Sequence, residues 1–243
     1  MFFYFKQNYY ILKSSVSFSW TLMTSGYNKG DIYEQKIFEI LQSRNLLSPN
    51  SNRAGAGGGA DLKFIHLSQE YNLEVKLDLK ADYGQKTLGW KEGIWFWNVQ
   101  DETTNFYTSI GVIEYVNRKN IIPYRYTINK ADLDKDHRSS DQKIFEDYVD
   151  IEIRALHSYY AEKNCFYIQI GGYGFYHLQE DILNLGTPQF NCNMKLRLRA
   201  KTVHSSPVHQ YGFYATLKPV GKPQKSIYDI EQKENRAFPL IKP

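Results

Sequence analysis

The sequence predicts an α/β (α+β) fold in which helices and strands alternate as far as about residue 170 and strands dominate the remainder. Apolar residues recur with a helical period in 30–47 and again in 140–164. Apolar and polar residues alternate, as on half-buried strands, in "LEVKLDLK" (73–80) and "MKLRLRAK" (194–201). The 243 residues suffice for one well-cored domain with an extension, or for two small domains.

The first 23 residues are an apolar and aromatic leader that we expect to be poorly ordered. Lys6 and Lys13 interrupt it, so no apolar run reaches the length of a membrane span. It also lacks the order of a signal peptide, which has a basic start, an apolar core and a small-residue cleavage site. Because a polar segment and a good helix follow Met23, residues 1–22 are expected to be such a leader or an over-extended gene reading.

The two cysteines favour a reducing compartment. Cys165 and Cys192 lie 27 positions apart and form no CxxC pattern, which argues against a disulfide framework and against a structural zinc site. We therefore expect a cytoplasmic (intracellular) protein with no membrane partner.

Residues 30–47 are predicted to form an amphipathic helix. Its apolar stripe consists of Ile37, Phe38 and Leu41. Glu34 falls on the same stripe and is therefore expected to point inward. An inward carboxylate is costly unless it is paired or bound to a metal.

Two strands are predicted after a polar, glycine-rich loop at 45–59. The first covers 61–67, the segment "SQEYN" is expected to form a turn, and the second covers 73–80. The charged residues that share one face of the second strand are Glu74, Lys76, Asp78 and Lys80. A solvated face with cross-strand ion pairs is the structural interpretation of this pattern.

A hydrolytic site is the functional interpretation of the same residues. Asp61 and Glu74 are expected to converge on a divalent cation, which prefers hard oxygen ligands and keeps several waters. Such a cation polarises a phosphodiester and lowers the pKa of bound water. Lys76 shares the face of Glu74, so we expect it to orient or deprotonate the attacking water. The preceding glycines allow close approach of a nucleic-acid backbone, because they carry no Cβ.

These motifs, in this order, resemble the PD-(D/E)XK nuclease superfamily, which includes many restriction endonucleases and the archaeal-type Holliday junction resolvases. "KGDIYE" (29–34) is similar to the Gly-x3-Glu opening of the resolvase branch, and "RAGAGGGAD" (53–61) to its arginine, small-residue loop and aspartate. "EVK" (74–76) matches the Glu-x-Lys motif, and Gln85 resembles a glutamine that follows it in several branches. Ala60 stands where the family motif has proline.

The resemblance implies a restriction-endonuclease-like mixed sheet flanked by helices, and a Mg²⁺-dependent DNA endonuclease activity with Mn²⁺ as a possible substitute. The implied catalytic residues are Glu34, Asp61, Glu74, Lys76 and Gln85. The implied metal ligands are Asp61 and Glu74, assisted by Glu34, and the implied DNA contacts near the motifs are Arg53 and Lys80.

The same resemblance suggests how the chain is divided. The nuclease core is expected to cover 24–170, with the helix at 140–164 and the following "CFYIQI" strand as its later elements. This leaves an insertion at about 86–139 and a β-rich basic extension at 171–243.

Positive charge is concentrated in the second half of the chain. The formal net charge is only +4, but residues 182–228 contain seven Lys and Arg and no Asp or Glu. Such segregation is typical of a nucleic-acid-binding region. In "MKLRLRAK" the alternation predicts one face with cations about 7 Å apart, a spacing that suits DNA phosphates. These cations are Lys195, Arg197, Arg199 and Lys201. An edge strand protected from aggregation by its charges is the alternative interpretation.

Two functional hypotheses remain open at this point. The first is the endonuclease, whose partner is DNA and which is expected to act as a C2 homodimer, because cutting two strands with one site per chain usually takes two chains. The second is a non-catalytic nucleic-acid-binding or assembly module with a decayed site. The pattern of a nucleophile elbow is absent, and the scattered histidines fit no known ligand set.

Overall fold

A computed structural model describes residues 29–48, 60–202, 211–232, 234 and 236–241. The expected leader and the predicted DNA contact Arg53 lie outside the described residues. The helices are α1 (Lys29–Ser43), α2 (Glu102–Ser109), α3 (Val112–Arg118), α4 (Tyr124–Thr127), α5 (Lys135–Phe145) and α6 (Ile153–Glu162). The strands are β1 (Leu62–His66), β2 (Gln69–Lys76), β3 (Tyr83–Lys91), β4 (Ile94–Trp97), β5 (Asp147–Ile151), β6 (Cys165–Ile170), β7 (Gly174–His177), β8 (Met194–Thr202) and β9 (Tyr211–Pro219).

The first sheet has the order β1-β2-β6-β7 and is mixed, because β2 and β6 run parallel while the outer pairs are antiparallel. Helix α1 covers one face of it: buried Tyr33, Ile37 and Leu41 share a hydrophobic cluster with Leu73 and Val75 of β2. Helix α6 approaches from the other side of β2. The predicted mixed sheet flanked by helices is therefore confirmed.

The second sheet has the order β4-β3-β9-β8-β5 and is antiparallel throughout. β3 and β4 lie mostly in the segment expected to be an insertion, β8 and β9 in the β-rich extension, and β5 in the stretch expected to be a core helix, so three parts of the chain form one sheet. Leu196 and Leu198 of β8 are buried in the same hydrophobic cluster as Ile168 of β6. The two sheets are therefore joined through a continuous core.

The single helix predicted at 140–164 is wrong. Helix α5 ends at Phe145, an extended strand follows, and α6 begins only at Ile153. Backbone pairing of β5 with β8, from Asp147 opposite Leu198 to Ile151 opposite Met194, replaces the helical hydrogen bonds. Val149 and Ile151 lie on the strand between the two helices, and in the sequence their apolar side chains join the two helical patterns into one.

The bounds of the second predicted strand are also corrected. Leu67 and Ser68 both have positive φ, at 48° and 64°, and so form the tight turn that a two-residue hairpin requires. The segment expected to be a turn therefore pairs with β1 as the start of β2. Because β2 ends at Lys76, Asp78 and Lys80 are not part of its charged face.

Asp141 ties three parts of the fold together. Its fully buried carboxylate accepts hydrogen bonds from the backbone N–H groups of Tyr124 at 2.9 Å and Arg125 at 3.0 Å, and from the Tyr211 hydroxyl. The carboxylate thus holds the start of α4 and the start of β9 against α5.

Replacing Asp141 with alanine should destabilise the protein strongly, because two backbone N–H groups and the buried Tyr211 hydroxyl lose their acceptor. We expect a loss of about 3 kcal/mol in the free energy of unfolding, measured by urea denaturation. The exposed Asp132 is the matched control, and Asp132→Ala should change stability by less than about 0.5 kcal/mol. Equal effects of the two substitutions would contradict this role for Asp141.

Candidate active site

The structure brings Asp61, Glu74 and Lys76 together. The Asp61 Oδ2 atom accepts hydrogen bonds from the backbone N–H of Val75 at 2.8 Å and from the Lys76 ammonium at 3.2 Å. The same ammonium forms an ion pair with Glu74 Oε1. The three side chains, here called the charged triad, are only 20%, 9% and 15% exposed for Asp61, Glu74 and Lys76.

The hairpin of β1 and β2 explains this convergence. Leu62 pairs with Leu73, so Asp61, just before β1, lies beside the backbone of Val75. Alternation along β2 then directs Glu74 and Lys76 to one face, while Leu73 and Val75 pack in the cluster of α1. The predicted shared face of the acid and the base is present in the structure.

Glu74 occupies the most enclosed position of the triad. Burial raises the pKa of its carboxyl, and the nearby charge of Asp61 adds to this effect, whereas Lys76 opposes it. The Tyr160 hydroxyl of α6 donates a hydrogen bond to Glu74 Oε1 at 2.7 Å. Tyr160 therefore orients the Glu74 carboxylate from α6, which lies outside the β1–β2 hairpin.

Lys76 keeps its proton firmly. Burial alone would lower its pKa, but the charges of Glu74 and Asp61 outweigh burial and raise the pKa above its ordinary value. Its ammonium lies 5.6 Å from the ring centre of Tyr83, which is itself fully buried. The ammonium is thus a cation held between two carboxylates over an aromatic face.

The donor set of the triad suits a small divalent cation. Two carboxylates already surround one positive charge, and Mg²⁺ typically binds one or two carboxylates and keeps several waters. Among the residues that the structure describes, no group of three or more His, Cys, Asp or Glu is arranged to hold a metal ion. Any Mg²⁺ or Mn²⁺ site here would therefore use two carboxylates from the protein.

Glu34 is the predicted ligand that the structure does not bring to this pair. It is half-buried on α1, and α1 packs on the face of β2 opposite to Glu74. The inward stripe of the helix keeps the predicted Ile37 and Leu41, but its first member is Tyr33 rather than Glu34. The expected set of three carboxylates is therefore not assembled.

Gln85 and Lys80 form no hydrogen bond or ion pair with the charged triad. Gln85 is exposed at an irregularity of β3, where Gly84 has a φ of 62° and the pairing with β9 shifts register. Lys80 is exposed in the connection from β2 to β3, and its carbonyl accepts a hydrogen bond from the Lys218 ammonium at 3.0 Å. Both positions are accessible to a large ligand.

Strand β8 shows the predicted alternation. Met194, Leu196, Leu198 and Ala200 are buried, and the half-buried residues on the opposite face are Lys195, Arg197, Arg199 and Lys201. However, β8 pairs with β9 on one side and with β5 on the other. The interpretation of this segment as a protected edge strand is therefore wrong.

Sequence reasoning missed Asp82, which lies against this cationic face. Its carboxylate is 3.0 Å from Arg199 Nη1, and Arg197 also lies within ion-pair distance. Because these partners are more than one hundred positions away along the chain, no local pattern signals the contact. The sequence pattern did not indicate Tyr160 either, because its partner Glu74 is 86 positions away along the chain.

Comparisons with known proteins add little to this geometry. No protein-family model matches the sequence, and no curated protein matches it. The fold is similar to that of HhaI endonuclease in a complex with DNA, with a TM-score of 0.38 and 11% identity over 70% of this chain and 60% of that chain. A similarity of this size is too weak to transfer an activity. Within the described ranges, no helix is long and apolar enough to cross a membrane.

Two tyrosine substitutions test the local energetics of the triad. Tyr160→Phe removes a hydrogen bond to a buried carboxylate and should lower the free energy of unfolding by about 2 kcal/mol. The Tyr83 hydroxyl is buried without a hydrogen-bond partner among the described residues, so Tyr83→Phe should be neutral or slightly stabilising. Urea denaturation of both variants measures the difference. Equal losses would show that the Tyr160 hydroxyl does not support Glu74.

Proposed function

We propose that this protein is a metal-dependent DNA endonuclease that hydrolyses phosphodiester bonds, in the manner of restriction enzymes or junction resolvases. The charged triad carries the proposal, because Asp61, Glu74 and Lys76 meet in one partly enclosed site. The cationic face of β8 supports it, since a polyanionic substrate needs such a surface.

In this proposal Asp61 and Glu74 hold Mg²⁺, with Mn²⁺ as a substitute. A bound Mg²⁺ would polarise the scissile phosphodiester and lower the pKa of a water ligand. Tyr160 keeps Glu74 in place through its hydroxyl, and the Val75 N–H does the same for Asp61. Both carboxylates are thus oriented by the protein before any substrate arrives.

Lys76 contributes as a proton-bearing cation rather than as a base. In the metal-free protein the two carboxylates raise its pKa and keep the ammonium charged at neutral pH. A charged ammonium stabilises negative charge on the phosphate oxygens and donates hydrogen bonds to them. Of the two expected roles, orienting the attacking water or deprotonating it, this proposal favours the first, because a charged ammonium is a poor proton acceptor.

DNA is proposed to reach the triad along the face of β8, where Lys195, Arg197, Arg199 and Lys201 follow the backbone. Exposed Lys80 and Gln85 are proposed to add backbone contacts near the site. Cleavage of both strands is proposed to use a C2 homodimer.

One observation favours a second candidate, a DNA-binding module with no catalytic activity. The Lys76 ammonium contacts both carboxylates, so the triad is neutralised to a large extent within the protein. If a metal ion never displaces this contact, the site is structural.

Cleavage of supercoiled plasmid, with Mg²⁺ and with EDTA, tests the proposal. Asp61→Asn and Glu74→Gln preserve shape and should each reduce cleavage by at least about a hundredfold. Glu70→Gln is the matched control, because Glu70 is an exposed carboxylate four positions before Glu74 on the same strand. Cleavage without a divalent metal, or full activity in either site variant, would overturn the proposal.

Lys76→Ala separates catalysis from binding. Loss of an ammonium that acts on the scissile phosphate should reduce turnover by about a hundredfold or more. DNA affinity should change far less, because the surface of β8 is intact. Single-turnover cleavage and fluorescence anisotropy measure the two quantities, and equal losses would reassign Lys76 to phosphate binding alone.

A further inference from the structure

A single carboxylate lies among three cations where the connection from β2 to β3 crosses the cationic face. Asp82 is 3.0 Å from Arg199 Nη1, 3.8 Å from Arg197 Nη1 and 4.0 Å from Lys218 Nζ. We call these four residues the Asp82 cluster. Its formal charge is +2, from three cations and one anion. The cluster therefore retains an excess of positive charge although its members are paired.

Several buried polar atoms of the Asp82 cluster make no hydrogen bond within the described part of the chain. The Nε atoms of Arg197 and Arg199 and the Oδ1 atom of Asp82 are buried without hydrogen-bond partners in the described part of the chain. A guanidinium group offers five donors and no acceptor, so one carboxylate cannot satisfy two of them. A phosphate group, with several charged oxygens, offers acceptors that match these guanidinium donors.

Neighbouring contacts fix the cluster in this arrangement. The Arg197 guanidinium lies 5.7 Å from the ring centre of Tyr148 on β5, and Lys218 donates a hydrogen bond to the carbonyl of Lys80. Asp82 itself follows Lys76 by six positions. The cations are thus held in place around a carboxylate that lies close along the chain to the proposed catalytic site.

We propose that Asp82 is a built-in competitor for DNA phosphate: it holds Arg197 and Arg199 in the free protein and gives them up to a phosphodiester when DNA binds. This inference rests on the proposed function. The competition weakens every contact made by the two arginines, so DNA that offers only a few other contacts is rejected. Asp82 therefore lowers the affinity for DNA, so that only DNA which makes many other contacts is bound.

The proposal predicts that removal of the carboxylate strengthens DNA binding. An Asp82→Asn variant frees about one additional cation for phosphate, which should steepen the slope of log K against log salt by about 0.9. If electrostatic differences vanish near 1 M salt, this slope corresponds to about eightfold tighter binding at 0.1 M salt. A purely structural Asp82 predicts the opposite, because loosened arginines would bind DNA less well.

The experiment is a salt titration of DNA affinity by fluorescence anisotropy, with a labelled duplex and with Glu74→Gln in every variant to prevent cleavage. Asp150→Asn is the matched control: Asp150 also faces Lys195 on this sheet, at 3.7 Å, but its side chain is 90% exposed. It changes the net charge of the protein equally without touching the arginines. Asp82→Asn should exceed this control in affinity and slope, and adding Arg199→Ala should abolish the gain.

Unchanged or weaker binding by Asp82→Asn, or an equal gain from Asp150→Asn, would overturn the inference. If Asp82→Asn does not fold, NMR of the Arg197 and Arg199 Nε–H groups in the Glu74→Gln protein decides the question. These signals should shift when the duplex is added, and signals that stay unchanged on saturation would overturn the inference. Absence of DNA binding by every variant at low salt would instead refute the proposed function.

Discussion

The ammonium of Lys76 between Asp61 and Glu74 is the interaction on which the candidate site depends. Two carboxylates with little exposure repel each other and lose hydration, and one buried cation offsets both costs. Removing Lys76 leaves two carboxylates of little exposure uncompensated, whereas neutralising either carboxylate leaves a balanced ion pair. A site of this kind already holds a positive charge where the proposed chemistry needs one.

Several elements of the fold hold the charged triad in place. The β1–β2 hairpin and the residue before it supply the three side chains, and α6 adds the Tyr160 hydroxyl. The second sheet places Tyr83 of β3 against the Lys76 ammonium and carries the cationic face on β8. The connection between β2 and β3 links the two regions and carries Asp82. Charge is therefore arranged in two neighbouring groups, each with a carboxylate in contact with cations.

The sequence was most informative where the signal was local. Alternation correctly indicated the shared face of Glu74 and Lys76 and the cationic face of β8. Sequence patterns failed where strand pairing between distant parts of the chain decided the structure. At β5, the backbone hydrogen bonds to β8 override a helical period. Glu34 illustrates another limit: Ile37 and Leu41 are buried as predicted, but Tyr33 rather than its neighbour Glu34 takes the inward position one turn earlier. Asp82 and Tyr160 act through partners that no local pattern could reveal.

Soaking crystals of the protein in Mn²⁺ and recording anomalous diffraction tests the central claim most directly. We expect one Mn²⁺ ion in contact with carboxylate oxygens of both Asp61 and Glu74, with the Lys76 ammonium displaced from between them. A triad that keeps its Lys76 contacts and binds no Mn²⁺ at saturating concentration would contradict the claim that this site is a metal-dependent nuclease centre.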